Sequence, residues 1–115
     1  MRRGEIRLVD LDPVRGAEAN KRRPAVIVSN DGANGTAELL GRGGVTVVPA
    51  TSNTERVYPF QVLLRASETG LERDSKAQAE EVRSVAVERI GARVGVVPPG
   101  LLVALDEALR LHLAL

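Results

Sequence analysis

The apolar residues of this chain arrive in short runs rich in valine and isoleucine, foremost Ala25-Val26-Ile27-Val28 and Val45 to Val48. Each run ends within a few positions at proline, glycine or polar residues. Runs of this length and β-branched character fit buried strands and are too short for the helices of a bundle. A sheet is therefore the expected framework. Its core has to be filled by Val, Leu, Ile and Ala, because Tyr58 and Phe60 are the only aromatic residues among 115. A chain of that length is expected to make one domain, residues 1–115, burying roughly two-thirds of the surface its unfolded form exposes.

Gly4 to Leu11 alternates with Ile6 and Leu8 on one side and stops at Asp12-Pro13, a turn-favouring pair, so it is expected as the first strand. A polar loop from Val14 to Arg22 leads to a second, buried strand over residues 24–29, with Pro24 at its first position, where no ladder donor is required. Asp31 to Gly44 holds Asn34-Gly35, Gly41 and Gly43-Gly44 and is expected as a mobile connection. Val45 to Ala50 and Phe60 to Arg65 are the third and fourth strands, separated by a polar loop from Thr51 to Val57. Beyond a turn around Gly70, Lys76 to Val82 and Ser84 to Val87 read as one bent strand or two short ones.

Pro98-Pro99 starts a helix in which Leu101, Leu102, Leu105, Ala108, Leu109 and His112 share one face. Val103, Leu111 and Leu113 widen its apolar stripe and point to a subunit or partner contact. Short strands separated by turns and closed by one helix give a small, strongly curved antiparallel sheet or open barrel.

The absence of cysteine leaves no disulfide framework and no thiolate site, consistent with a reducing, cytoplasmic setting. Met1-Arg2-Arg3-Gly4-Glu5 is not followed by an apolar signal core. No apolar run approaches the ~20 residues of a membrane-spanning helix, so neither secretion nor membrane insertion is expected. A net charge of +1 argues against a general DNA-coating protein. The distribution is uneven, however: Arg2, Arg3, Arg7, Arg15, Lys21, Arg22 and Arg23 crowd the first 23 residues, whereas residues 66–115 lean acidic. A locally basic face suits a few phosphates.

His112 is the sole histidine, which closes the route of paired-histidine acid and base cleavage within one chain. Near a helix C-terminus it instead favours the negative end of the dipole. The acidic residues are dispersed and no cluster has ligand spacing, so no metal or other cofactor is expected. Anion chemistry remains. Arginine is permanently charged and presents a planar fork of donors that matches two phosphate oxygens. Arg23 is the best placed, because Pro24 restricts its backbone and a buried strand anchors it. Lys21 and Arg22 also fit ordinary solvated charges.

Thr51 and Ser52 end the third strand. If that strand neighbours the second, their hydroxyls converge with Arg23 on one phosphate-sized spot; taken alone, a Thr-Ser pair after a strand is a turn cap. Cleavage of RNA by its own 2′-hydroxyl also requires a proton acceptor and a donor to the leaving group. Glu18 and Glu80 are unranked candidates as bases or sugar ligands, and Lys21, Ser52, Asn53 and Gln78 complete the candidate RNA-binding or auxiliary set. With so few aromatics, base recognition is expected to rest on hydrogen bonds rather than stacking. The blandest alternative is a module that only holds single-stranded RNA on its basic face.

From Gly4-Glu5-Ile6 through Asp10-Leu11-Asp12-Pro13 and Gly16-Ala17-Glu18 to Arg23-Pro24-Ala25-Val26-Ile27-Val28, the chain resembles the MazF/PemK family of toxin endoribonucleases, the mRNA interferases of bacterial toxin-antitoxin pairs. The resemblance resumes at Val48-Pro49-Ala50-Thr51-Ser52 and at Glu80-Glu81-Val82-Arg83-Ser84. It implies a small SH3-like barrel with a C-terminal helix, a homodimer, and metal-independent, sequence-specific cleavage of single-stranded RNA to 2′,3′-cyclic phosphate and 5′-hydroxyl ends. It further implies catalytic roles for Arg23 and Thr51, with Glu18 and Glu80 near the RNA. Two departures stand out, since some members have a histidine and an arginine where this chain has Ala17 and Gln78. The implied partner is a small MazE-like antitoxin whose disordered tail folds onto the toxin. A gyrase-poisoning toxin of the same fold, resembling CcdB, is the alternative from another class, although this chain lacks the tryptophan on which CcdB toxins rely.

Overall fold

The computed structural model describes residues 1–11 and 22–115. Seven strands are present among them: β1 (Glu5–Asp10), β2 (Arg22–Ile27), β3 (Gly44–Thr51), β4 (Gln61–Leu64), β5 (Ser75–Gln78), β6 (Arg83–Ala86) and β7 (Ile90–Val96). Three α-helices accompany them: α1 (Asp31–Leu40), α2 (Ala66–Thr69) and α3 (Pro99–Leu113). The strands run in the order β4-β5-β3-β2-β1-β7, with β6 also paired to β3, and every pairing is antiparallel. The ladder ends at β4 and β7, so the sheet is open, in keeping with the expected curved antiparallel sheet or open barrel. No helix among the described residues is long and apolar enough to cross a membrane.

Alternation along the strands divides the interior in two. Val9, Ala25, Ile27, Val45 and Val47 turn to one side and pack with Ala37 of α1. Ile6, Val26, Val48, Ala50, Val62 and Leu64 turn to the other, where Leu105 and Ala108 of α3 cover them. Leu101, Leu102 and Leu109 pack on the same cluster, as their spacing predicts, but His112 is exposed and the buried stripe stops one turn short of it.

The stretch expected as a mobile connection, Asp31 to Gly44, is mostly helix. Asn30 caps α1 by accepting the Ala33 N–H at 2.8 Å, and Gly41 closes it in a left-handed conformation with φ 64°. Asn34, whose neighbour Gly35 suggested a turn, is fully buried, and its Nδ2 donates to the Ser29 carbonyl at 2.8 Å. Capping and this anchor outweigh weak intrinsic propensity. Gly35 itself has open space where a side-chain carbon would stand. Gly35→Ala is therefore expected to stabilise the protein by about 0.5–1 kcal/mol, read as a raised midpoint in thermal unfolding.

β7 went unrecognised in the sequence because Gly91 and Gly95 interrupt its apolar pattern. Both are close-approach positions: a side-chain carbon at Gly91 would lie 2.7 Å from Arg22 Nη1, and one at Gly95 would lie 2.6 Å from the Thr69 carbonyl oxygen. The two readings of residues 76–87 merge. β5 and β6 continue one another along β3, broken by a 3-10 turn at Ala79–Glu81. Ala50 stands opposite Ala77 and Val47 opposite Arg83, so Val48 and Pro49 face the whole of Gln78 to Val82. Such an insertion bends the strand and re-aims its side chains.

Candidate active site

β2 and β3 pair with Ala25 opposite Pro49, Val26 opposite Val48 and Ile27 opposite Val47. Arg23 lies two residues beyond Ala25 and Thr51 two beyond Pro49, and both border the same two clefts. Arg23 Nη2 donates to the Ala50 carbonyl at 3.3 Å and to Gln78 Oε1 at 3.4 Å. Both contacts are long for N–H···O bonds. They aim the half-buried guanidinium without exhausting its donors, since Nε and Nη1 donate to nothing among the described residues. Thr51 Oγ1 accepts the Asn53 backbone N–H at 3.3 Å, which is the turn-cap geometry expected of a Thr-Ser pair. Because the oxygen accepts, the hydroxyl hydrogen stays available to a ligand.

Two clefts meet at this pair. One, of about 650 Å³, is bordered by Arg23, Thr51, Ser52, Glu72 and Arg73, with Leu71 and Val94 forming an apolar wall. The other, of about 280 Å³, is bordered by Arg23, Thr51, Gln78, Glu81 and Arg83. Each sets two guanidinium groups against one carboxylate among its described residues. That balance attracts an anion with paired oxygens, such as a phosphodiester.

Of the residues singled out in the sequence, Arg23, Thr51, Ser52 and Gln78 come together here. Asn53 is exposed just beyond, its Oδ1 accepting the Glu55 N–H at 3.3 Å, and borders neither cleft. Glu80 turns away: its Oε2 accepts from Gln61 Nε2 at 2.6 Å. Glu18 and Lys21, together with the loop carrying Ala17, lie outside the described residues. Glu72, Arg73, Glu81 and Arg83 border the clefts without having been singled out. The signal for the last two was at hand, because they sit two positions apart beside Glu80. Which of the paired glutamates faces the cleft is set by the 3-10 turn, and that turn is not visible in a strand pattern.

Residues 2–113 match a family described as PemK-like, MazF-like toxin of type II toxin-antitoxin system. Over its full 115 residues the chain is 64% identical to Endoribonuclease MazF9 of Mycobacterium tuberculosis (strain ATCC 25618 / H37Rv), covering 98% of that protein. It is 37% identical over 97 residues to Endoribonuclease toxin MazF of Escherichia coli (strain K12), covering 84% of this chain and 78% of that one. A solved endoribonuclease from a mycobacterial species, in complex with its cognate antitoxin, shares the fold with a TM-score of 0.76 at 24% identity, covering 100% of this chain and 96% of that one. Likeness of that extent in sequence, carried on the same fold, means that this chain belongs to the PemK-like, MazF-like family of toxins of type II toxin-antitoxin systems.

Proposed function

We propose that this endoribonuclease cuts single-stranded RNA at short sequences by letting the substrate's own 2′-hydroxyl attack the adjacent phosphorus, with Arg23 and Thr51 as the catalytic pair. The observation that carries this reading is the register of β2 and β3, which brings a guanidinium and a hydroxyl to clefts they share. Arg23 grips the non-bridging oxygens and stabilises the charge that grows on them in the phosphorane, and the Thr51 hydroxyl donates to the same oxygens. The O2′–P bond forms, the P–O5′ bond breaks, and the O5′ leaving group takes a proton from solvent water. The 2′-hydroxyl loses its proton to a carboxylate; among the described residues the clefts offer Glu72 and Glu81 for this. The products are a 2′,3′-cyclic phosphate and a 5′-hydroxyl, and no metal takes part.

The reading is tested by incubating the purified protein with a long transcript in EDTA and analysing the ends. Cyclic phosphate ends are expected; 3′-hydroxyl ends, or cleavage only when a divalent cation is restored, would overturn it. Thr51→Val, which keeps the shape and removes the hydroxyl, is expected to lower the rate by about a hundredfold. The gyrase-poison alternative predicts intact RNA in the same assay, and it is disfavoured by relatives that are endoribonucleases.

The toxin acts within a pair, held in check by an antitoxin whose acidic, disordered segment suits the cationic excess of the clefts. It is a homodimer, for which the support is the apolar outer face of α3: Val103 is 60%, Leu111 58% and Leu113 48% exposed. Beside that face, a groove of about 660 Å³ between α3 and β4 is bordered by Leu63, Leu101, Ala104 and Leu111. Sedimentation at the mass of two chains is expected, and a monomer at micromolar concentration would exclude the dimer.

A further inference from the structure

The loop after Thr51 ends in a construction that the cleavage chemistry does not use. Tyr58 is 41% exposed, yet its ring lies parallel to that of Phe60, with centroids 5.3 Å apart and an interplanar angle of 2°. The turn beneath the pair is tied twice to Gln61: the Tyr58 N–H donates to Gln61 Oε1 at 3.1 Å, and the Gln61 N–H donates to the Tyr58 carbonyl at 2.8 Å. Gln61 is buried, and its amide is oriented in turn by the Glu80 carboxylate at 2.6 Å. Pro59 stiffens the step between the rings. An exposed aromatic ring held this firmly gives up little entropy when a flat ligand is laid on it.

Two cations lie over the ring. Arg56 Cζ is 5.8 Å and Lys76 Nζ 5.9 Å from its centroid, and Lys76 holds the Arg56 carbonyl at 2.6 Å. Lys76 is also the direct cross-strand partner of Thr51. Lys76 therefore links the ring to the strand position of Thr51, whose face it shares. A flat, π-faced group attached to an anionic chain whose phosphate sits at Arg23 fits these surroundings: the ring takes the flat face, and the exposed Arg56 guanidinium takes a neighbouring phosphate, while the buried Lys76 adds positive field.

We propose that Tyr58, backed by Phe60 and flanked by Arg56 and Lys76, is a stacking platform for a base of the RNA next to the scissile phosphate. This departs from the expectation that recognition rests on hydrogen bonds alone, because the scarcity of aromatics does not prevent the two present from forming one surface. The inference rests on the cleavage reading above for its ligand, and it adds the site that fixes how the strand lies.

Tyr58 is the only tyrosine of a chain without tryptophan, so intrinsic fluorescence reports on this ring alone. The probe is single-stranded DNA with the sequence of a transcript that is cut; it carries every base but no 2′-hydroxyl to attack. Titrated into the wild-type protein, it is expected to quench the tyrosine emission in step with binding measured by anisotropy. Binding without quenching, or no binding, overturns the platform. In parallel, Tyr58→Leu is expected to lower kcat/KM on the transcript by about tenfold, chiefly through KM, with an unchanged melting curve, and Tyr58→Phe to recover most of the loss. Cleavage by Tyr58→Leu at the wild-type kcat/KM also overturns it. Should the wild-type protein leave RNA uncut while still showing the quench, the cleavage reading fails and the platform stands.

Discussion

Replacing Arg23 by alanine is expected to lower RNA cleavage by about a hundredfold or more and to leave the fold standing. Among the described residues the guanidinium makes two long hydrogen bonds, to the Ala50 carbonyl and to Gln78. Their loss costs about 1 kcal/mol of stability, a small part of the 5–15 kcal/mol typical of a domain. The catalytic loss is larger because the phosphorane's added charge would lose the guanidinium that borders both clefts beside Thr51. Arg23→Lys restores the charge without the planar fork, so it should recover only part of the rate. The measurement is kcat/KM on a transcript in EDTA beside a thermal melt of each variant. An Arg23→Ala protein that cuts within a fewfold of wild type would remove the arginine from the mechanism.

Leu105→Ala is expected to destabilise the protein by about 2–5 kcal/mol. Leu105 is fully buried in the larger apolar cluster, where α3 closes over Ile6, Val48 and Leu64. With almost no aromatic volume nearby, no large ring can lean into the space a truncated leucine leaves. α3 also packs against β4 and the 3-10 turn at Ala79–Glu81, so loosening it reaches the element that presents Glu81 to the cleft. Urea unfolding should show the midpoint fall. Leu115→Ala, at a position 84% exposed, is the matched control and should not move it. If the two variants unfold alike, α3 does not seal the core.

The strands that carry Arg23 and Thr51 were legible because their runs are apolar, β-branched and stopped by proline or polar residues. That they are neighbours was only a condition of that reading, and the pairing of Ala25 with Pro49 and Val26 with Val48 meets it. α1 was not legible. Gly32, Asn34 and Gly35 are turn formers by local rule, and only the Asn30 cap and the burial of Asn34 against Ser29 make a helix of them. β7 was hidden for the opposite reason, since its glycines mark contact with other backbone rather than chain reversal. In the site, the cross-strand placement of Gln78 fitted simple alternation, whereas Glu80 and Glu81 did not. The extra residues in the bend shift the phase, so the second glutamate, not the first, reaches the cleft.

The clefts draw their walls from β2, from the end of β3 and from segments as late as Val94, and the apolar core beneath them waits for α3. A ribosome partway through this message has therefore made nothing dangerous. Fragments released early lack the far bank of the groove, and a competent molecule exists only once α3 has been made. A poison assembled last gives its own translation time to finish before its blade exists.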